Sequence, residues 1–198
     1  MDSAAGTFPS AATLPFSVVT DEELMSAFRA GKADAFDALF DRYREPIWRF
    51  FRRRVSDPAR AEELSQDTFV ALVQNAGRYV PRAPFRRYLF GIAFNVWLAA
   101  RRRLRLAVAA PEGWDPPAPS ADPTRAIWIR RALAALPELD RDVLMLREYD
   151  QLDYAEIAEL TAVPIGTVRS RLFRARAALR AELTGAAVTE PRGNGRTR

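Results

Sequence analysis

Arginine recurs along the stretch that begins near Ile165, at Arg169, Arg171, Arg174, Arg176 and Arg180, with Ser170 and Phe173 between. A guanidinium carries a fixed fork of donors that fits phosphate oxygens and guanine edges. Helical spacing puts Arg169, Phe173, Arg176 and Arg180 on one outward row, and Ser170, Arg174 and Ala177 on the next. Val168, Leu172, Ala175 and Leu179 recur every four, three and four residues and form the stripe such a helix would bury. Residues near the start of a reading helix meet base edges, and later ones meet phosphates. That assigns Arg169, Ser170, Phe173 and Arg174 to the major groove, with Arg171 and Arg176 nearer the backbone. An arginine-rich helix alone is more often a solvated face. The preceding segment favours the DNA-reading alternative. Asp153 and Glu156 frame a capped helix start, Ile157 and Leu160 face inward, and Pro164 stops that helix just before the next. Short helix, tight turn and longer helix make a helix-turn-helix.

Other chemistries are closed off by composition. The 198 residues contain no cysteine and no histidine, which excludes disulfides, Cys/His zinc sites and His-based nucleophilic pairs. There is no glycine-rich phosphate loop. An enzyme is therefore a remote reading, and no cofactor or metal is expected. Hydrophobic content of 48% supports packed cores. Net charge is +5, and Lys32 is the only lysine, so the basic character is arginine gathered in clusters. No basic n-region precedes an apolar run at the start, and no run approaches the roughly 20 residues of a membrane helix. A cytoplasmic protein without membrane insertion is expected.

The elements that must position these residues are all helical. Residues 1–19 are small, polar and proline-punctuated, a flexible leader. Thr20 and Glu23 form a capping box for a helix from Asp21, which Gly31 stops. A second helix covers about Asp34 to Arg54, with Pro46 expected to kink or split it. Asp57-Pro58 starts a third helix, to about Ala76. A loop from Gly77 to Pro84 leads to a fourth, from Phe85 to about Arg105. Six prolines and glycines between 107 and 123 signal a linker. Asp122-Pro123 caps a further helix to about Ala135, Leu136-Pro137 breaks it, and another runs from Glu138 to about Tyr149. From Gly185 the tail reads as disordered. The expected fold is all-α: two small helical domains, 20–105 and 124–184, joined by a Pro-rich linker over 106–123, with the helix-turn-helix in the second.

The first domain carries three further clusters. Glu63, Asp67, Val70 and Gln74 share one face of the third helix, opposite Phe69 and Leu72. Such charges usually make a solvated helix face. On the fourth helix Phe85, Leu89, Ile92 and Val96 read as core, while Phe90, Phe94, Trp97 and Arg101 form a second row. Aromatic rows are usually core, though rings can also stack on exposed bases. Arg101, Arg102, Arg103 and Arg105 suit either phosphates or the helix C-terminus.

Five segments together, in this order, resemble bacterial RNA polymerase sigma factors of the two-domain extracytoplasmic-function (ECF) type: Phe36 to Tyr43, Ala61 to Phe69, Phe85 to Asn95, Arg101-Arg102-Arg103, and Leu136-Pro137 through Leu179. The resemblance covers roughly 22–105 and 126–182. It implies a non-enzymatic subunit that binds core RNA polymerase and directs initiation at promoter DNA. The C-terminal reader would take the −35 duplex; the N-terminal domain would melt and hold −10. It implies polymerase contacts at Glu62, Glu63, Gln66 and Asp67. On the −10 side it implicates Arg82, Phe85 and Asn95, with Arg101, Arg102 and Arg103 on phosphates. It also implies an anti-sigma factor as partner. Four positions depart from the family's habit: Ala162 and Gln151 stand where glycine is common, Tyr88 where tryptophan is, and Phe94 where arginine often precedes the asparagine. A free-standing helix-turn-helix repressor and a helical adaptor are the rival readings, and both leave the N-terminal domain unexplained.

Overall fold

The computed structural model describes residues 19–81, 84–107, 129 and 131–189. Every regular element among them is helical. Helix α1 spans Asp21–Arg29, and its start is fixed reciprocally. The Glu23 N–H donates to Thr20 Oγ1 at 3.2 Å, and the Thr20 N–H donates to Glu23 Oε2 at 2.8 Å. The Thr20 N–H, and with it the Thr20 hydroxyl at 2.9 Å, donate to the Glu23 carboxyl and hold it below the ordinary glutamate range. Gly31, at φ 92°, turns the chain into α2 (Ala33–Arg52). Tyr43 donates to Asp21 at 2.5 Å, and Arg42 meets the same carboxylate at 2.7 Å, pinning α1 to α2. Burial, reinforced by the hydrogen bond to Asp21, raises the Tyr43 phenol well above its ordinary value.

Pro46 does not split α2, which runs unbroken past it. Tyr43, Ile47, Phe50 and Phe51 are all buried on both sides of the proline. Packing of that continuous face outweighs the one backbone bond a proline removes. Helix α3 (Pro58–Asn75) begins as expected, with Asp57 accepting from the Ala59 N–H at 2.9 Å. A single 3₁₀ turn, Ala76–Arg78, precedes α4 (Phe85–Ala107). Phe85 sits edge-on to Tyr43 and Tyr79, and Phe50 to Phe90, so aromatic rings fill the centre of this bundle.

Residues 131–135 are helical and end at Leu136-Pro137. Then come α5 (Glu138–Glu148), α6 (Tyr154–Thr161) and α7 (Ile165–Thr189). Val143, Leu146, Ile157, Val168, Leu172 and Ala175 make their shared core. Helix α7 continues through Gly185 to Thr189, beyond the point where the sequence suggests disorder. Alanines at 186 and 187 sustain the helix, and one glycine costs only about 1 kcal/mol. The expected linker and the Asp122-Pro123 cap lie outside the described residues. The buried residues of both halves belong to one continuous cluster. Helix α6 packs on α4, with Leu160 resting against the backbone of Gly91.

Two non-glycine residues among those described have positive φ: Gln151 at 55° and Ala162 at 54°. Ala162 closes α6, where Val163 N–H reaches back to Ala158 O at 3.1 Å, the wrap-around bonding of a left-handed C-cap. Gln151 lies just beyond the α5 cap at Tyr149, in the turn where Leu152 N–H reaches Leu146 O at 3.0 Å. A side chain in that conformation is strained. Ala162→Gly and Gln151→Gly should each raise the unfolding free energy by about 0.5–1 kcal/mol, the released strain exceeding the added chain entropy. Urea titration reads this directly; a fall in stability on Ala162→Gly would contradict it.

Candidate nucleic-acid interface

The reader is built by two caps and one stripe. Asp153 accepts from the Glu156 N–H at 2.8 Å, and Glu156 accepts from the Asp153 N–H at 2.7 Å, fixing where α6 begins. Ala162 and Pro164 then turn the chain, and Val168, Leu172 and Ala175 anchor α7 by its inner face. The opposite face is presented to solvent. Arg169 and Ser170 are exposed, and Phe173 is 75% exposed, a large apolar ring held out in water. The Ser170 hydroxyl donates back to Thr167 O at 2.9 Å.

Arg171, Arg174 and Arg176 are held by carboxylates of α5. Asp140, buried to 3%, accepts from Arg171 Nη1 at 2.7 Å and from Arg174 Nε and Nη2 at 3.3 Å each. Glu148 accepts from Arg176 Nη2 at 2.6 Å and Nε at 3.0 Å. Arg171 is thereby half-buried, whereas Arg174 and Arg176 keep much of their surface. A carboxylate behind a guanidinium leaves its outer edge free to donate while fixing the side chain's direction. Asp140 escaped the sequence reading because it lies 31 residues from Arg171, with no local pattern joining them.

On the N-terminal half, Glu62, Glu63, Gln66 and Asp67 all lie exposed along α3. Gln66 donates to Glu62 at 3.1 Å, and Arg60 pairs with Glu63 at 2.5 Å. Val70 and Val73 extend this helix's exposed surface, and Phe40 of α2, edge-on to Phe69, is also partly open. The outer face of α2 and α3 therefore combines acid with exposed apolar surface.

The −10 candidates separate. Asn95, Arg102 and Arg103 are exposed on α4. Arg82 lies outside the described residues. Phe85, expected to help capture a base, is instead fully buried against Tyr43 and Tyr79 and offers no ring surface outward. Phe90 and Phe94 are likewise core, so of that aromatic row only Trp97 keeps partial exposure. Arg101 sits over the Trp97 ring and pairs with Glu138 at 2.5 Å and Asp142 at 2.8 Å, both from α5.

Further arginines of the N-terminal half meet carboxylates of the C-terminal half. Arg54 and Arg53 bind the two oxygens of Asp150 at 2.8 and 3.3 Å, Arg86 donates to the Asp150 carbonyl, and Arg87 pairs with Glu159. Burial depresses the Arg53 guanidinium, and Asp150 opposes that shift. These pairings join residues up to 97 positions apart, so sequence spacing gave no hint of them.

Removing the Asp140 carboxylate leaves Arg171 half-buried without its counter-charge. Asp140→Ala should lower stability by about 1–3 kcal/mol, with Asp140→Asn milder because it keeps an acceptor. Chemical denaturation checks this; equal, negligible losses for both variants would contradict it.

The sigma-70 region 2 family model matches residues 39–106, and the sigma-70 region 4 model matches 126–179. The RNA polymerase sigma factor CarQ of Myxococcus xanthus is 34% identical, over 81% of this chain and 95% of that protein. The ECF RNA polymerase sigma factor SigM of Mycobacterium tuberculosis is 33% identical, over 81% of this chain and 83% of its own. Among solved structures, CnrH in complex with the cytosolic domain of CnrY aligns with a TM-score of 0.60 at 25% identity, over 83% of this chain and 97% of that one. The fold also matches the sigma factor RpoE of Bartonella quintana, in its complex with the anti-sigma factor NepR, at a TM-score of 0.63, with 23% identity and coverage of 75% and 96%. The chain belongs to the sigma-70 family of RNA polymerase sigma factors, within the extracytoplasmic-function group.

Proposed function

We propose that this sigma factor selects promoters through two faces on separate halves of the chain. The exposed row Arg169, Ser170, Phe173 and Arg174 reads the −35 duplex, with Arg171 and Arg176 directed at its backbone. The observation that carries this reading is the Phe173 ring, which stands 75% exposed between arginines on a helix whose other face is fully packed. Exposing such a ring is unfavourable unless something covers it, and a thymine methyl group is a suitable cover.

On the N-terminal half, Asn95 supplies paired donor and acceptor groups for a −10 base, and Arg102 and Arg103 neutralise nearby phosphates. Arg82 joins this surface, as does Arg101 once freed from Glu138 and Asp142. Glu62, Glu63, Gln66 and Asp67 dock on core polymerase, with Val70 and Val73 adding apolar contact. Acid facing a basic partner speeds association and makes it salt-sensitive. The chain does no bond-making itself; nucleotide addition belongs to polymerase, and both work in the cytoplasm. Among the described residues no helix is long and apolar enough to cross a membrane. An anti-sigma protein is the regulatory partner proposed here. It is supported by CnrH, which was solved with the cytosolic domain of CnrY.

Reconstitution with purified core polymerase and a promoter library tests the reading. Selective run-off transcripts are expected, and their absence from folded protein would count against it. Arg169→Ala or Phe173→Ala should reduce transcription from a selected promoter about tenfold, the loss of one good base contact of roughly 1–3 kcal/mol. Core binding should be unchanged in both. Asp67→Arg should do the reverse, slowing association with core while leaving −35 duplex binding intact.

A further inference from the structure

Two α5 carboxylates hold their arginines by the same edge. A guanidinium has two paired edges of donors, Nε with Nη2 at its side and Nη1 with Nη2 at its end. Arg174 turns its side edge to Asp140, donating from Nε to Oδ2 and from Nη2 to Oδ1 at 3.3 Å each. Arg176 turns the same edge to Glu148, donating from Nε and Nη2 to one oxygen. Both grips leave the end edge open. The carboxylates themselves differ. Glu148 keeps 47% of its side-chain surface, so its pair is screened by solvent and fixes no direction. Asp140 keeps only 4%. It is tied down from two other sides: its N–H donates to Pro137 O at 2.9 Å, and Arg171 Nη1 donates to its Oδ1 at 2.7 Å. A short, buried side chain cannot follow a moving partner. Arg174 is therefore aimed, and Arg176 is not.

We propose that Asp140 is a positioning residue that makes Arg174 selective for a guanine at one base pair of the −35 duplex. The inference rests on the duplex-reading function proposed above and deepens it. Guanine presents O6 and N7 as neighbouring acceptors in the major groove, and the end edge of a guanidinium meets both at once. Adenine places a donor beside N7, so the same edge would set donor against donor. An arginine without a fixed partner pairs with any phosphate in reach, which gives affinity and no selectivity. Asp140 removes that freedom in two ways. Its grip on the side edge leaves one fork with one direction. Its charge is shared by Arg171 and Arg174, so two guanidinium groups less one carboxylate leave a net charge of +1 to attract phosphate. Fixing the side chain beforehand also lowers the entropy lost on contact. The selectivity thus sits in Arg174, and its source lies 34 residues upstream. Arg176, loosely held, keeps to the backbone.

The test uses holoenzyme assembled from the full chain and purified core polymerase, on a promoter it transcribes, with each −35 base pair changed in turn to the other three. Run-off yield gives the preference at every position. The parent should favour guanine about tenfold at one of them. Asp140→Asn, which keeps the shape and removes the charge, should cut that preference to about threefold or less and leave the other positions unchanged. Arg174→Gln should abolish the same preference, and adding Asp140→Asn to it should change nothing further. A merely structural Asp140 would lower all yields together and move no single position; that result overturns the inference, as does a guanine preference that Asp140→Asn leaves intact. If Asp140→Asn does not fold, Asp140→Glu carries the test, because the longer acid keeps the charge and displaces the fork. The same position must then lose its preference, and its persistence overturns the inference. Selective transcription with no position governed by Arg174 sinks this inference and leaves the promoter-reading function standing. Transcription from no promoter sinks that function, and this inference with it.

Discussion

Arg54 is a buried cation whose carboxylate partner comes from the other half of the chain. A charge removed from water is tolerated only where an anion and hydrogen bonds replace the lost hydration. Phe50 O supplies one bond, and the Asp150 carboxylate supplies the anion. The arrangement of the two halves follows from that requirement. Asp150 sits at the end of α5, beside the strained residue Gln151, so the segment that presents it also sets the angle at which α6 leaves. Leu160 then meets Gly91, and Arg87 and Arg101 find their partners on either side.

Such a contact is well suited to being broken. Desolvation of both ions offsets much of their attraction, so a buried pair adds little net stability while still demanding a specific partner. The apolar residues of both halves share one buried cluster, and the ion pairs add direction to that contact. The ion pairs therefore define one closed geometry without making it permanent. The reader itself is organised on the same logic at smaller scale: Asp140 and Glu148 hold three arginines of α7 in place with carboxylates placed behind them.

Much of this was legible in the sequence, for local reasons. Caps at Thr20, Asp57 and Asp153 act over two or three residues, and the stripe on α7 repeats every three or four, so both can be read directly from spacing. Positions 151 and 162, where the resemblance puts glycine, have left-handed backbone here. Pro46 misled, because a helix breaker's cost is local while the packing that overrides it is not. Phe85 could be read both as core and as a base contact; only the arrival of Tyr43 and Tyr79 from elsewhere in the chain decided it. Asp140, Asp150 and Glu159 carried no signal at all, since an acid on a helix looks the same whether it faces water or an arginine nearly a hundred residues away.

The chain's lack of cysteine allows a direct measurement of whether its halves part. Cysteines introduced at the exposed positions Ser26 and Ala178 can carry spin labels, and pulsed electron resonance gives the distance between them. The account predicts one short distance in the free protein, replaced by a distance tens of ångströms longer once core polymerase and promoter DNA are added. A short distance that persists in a transcriptionally active complex would contradict it.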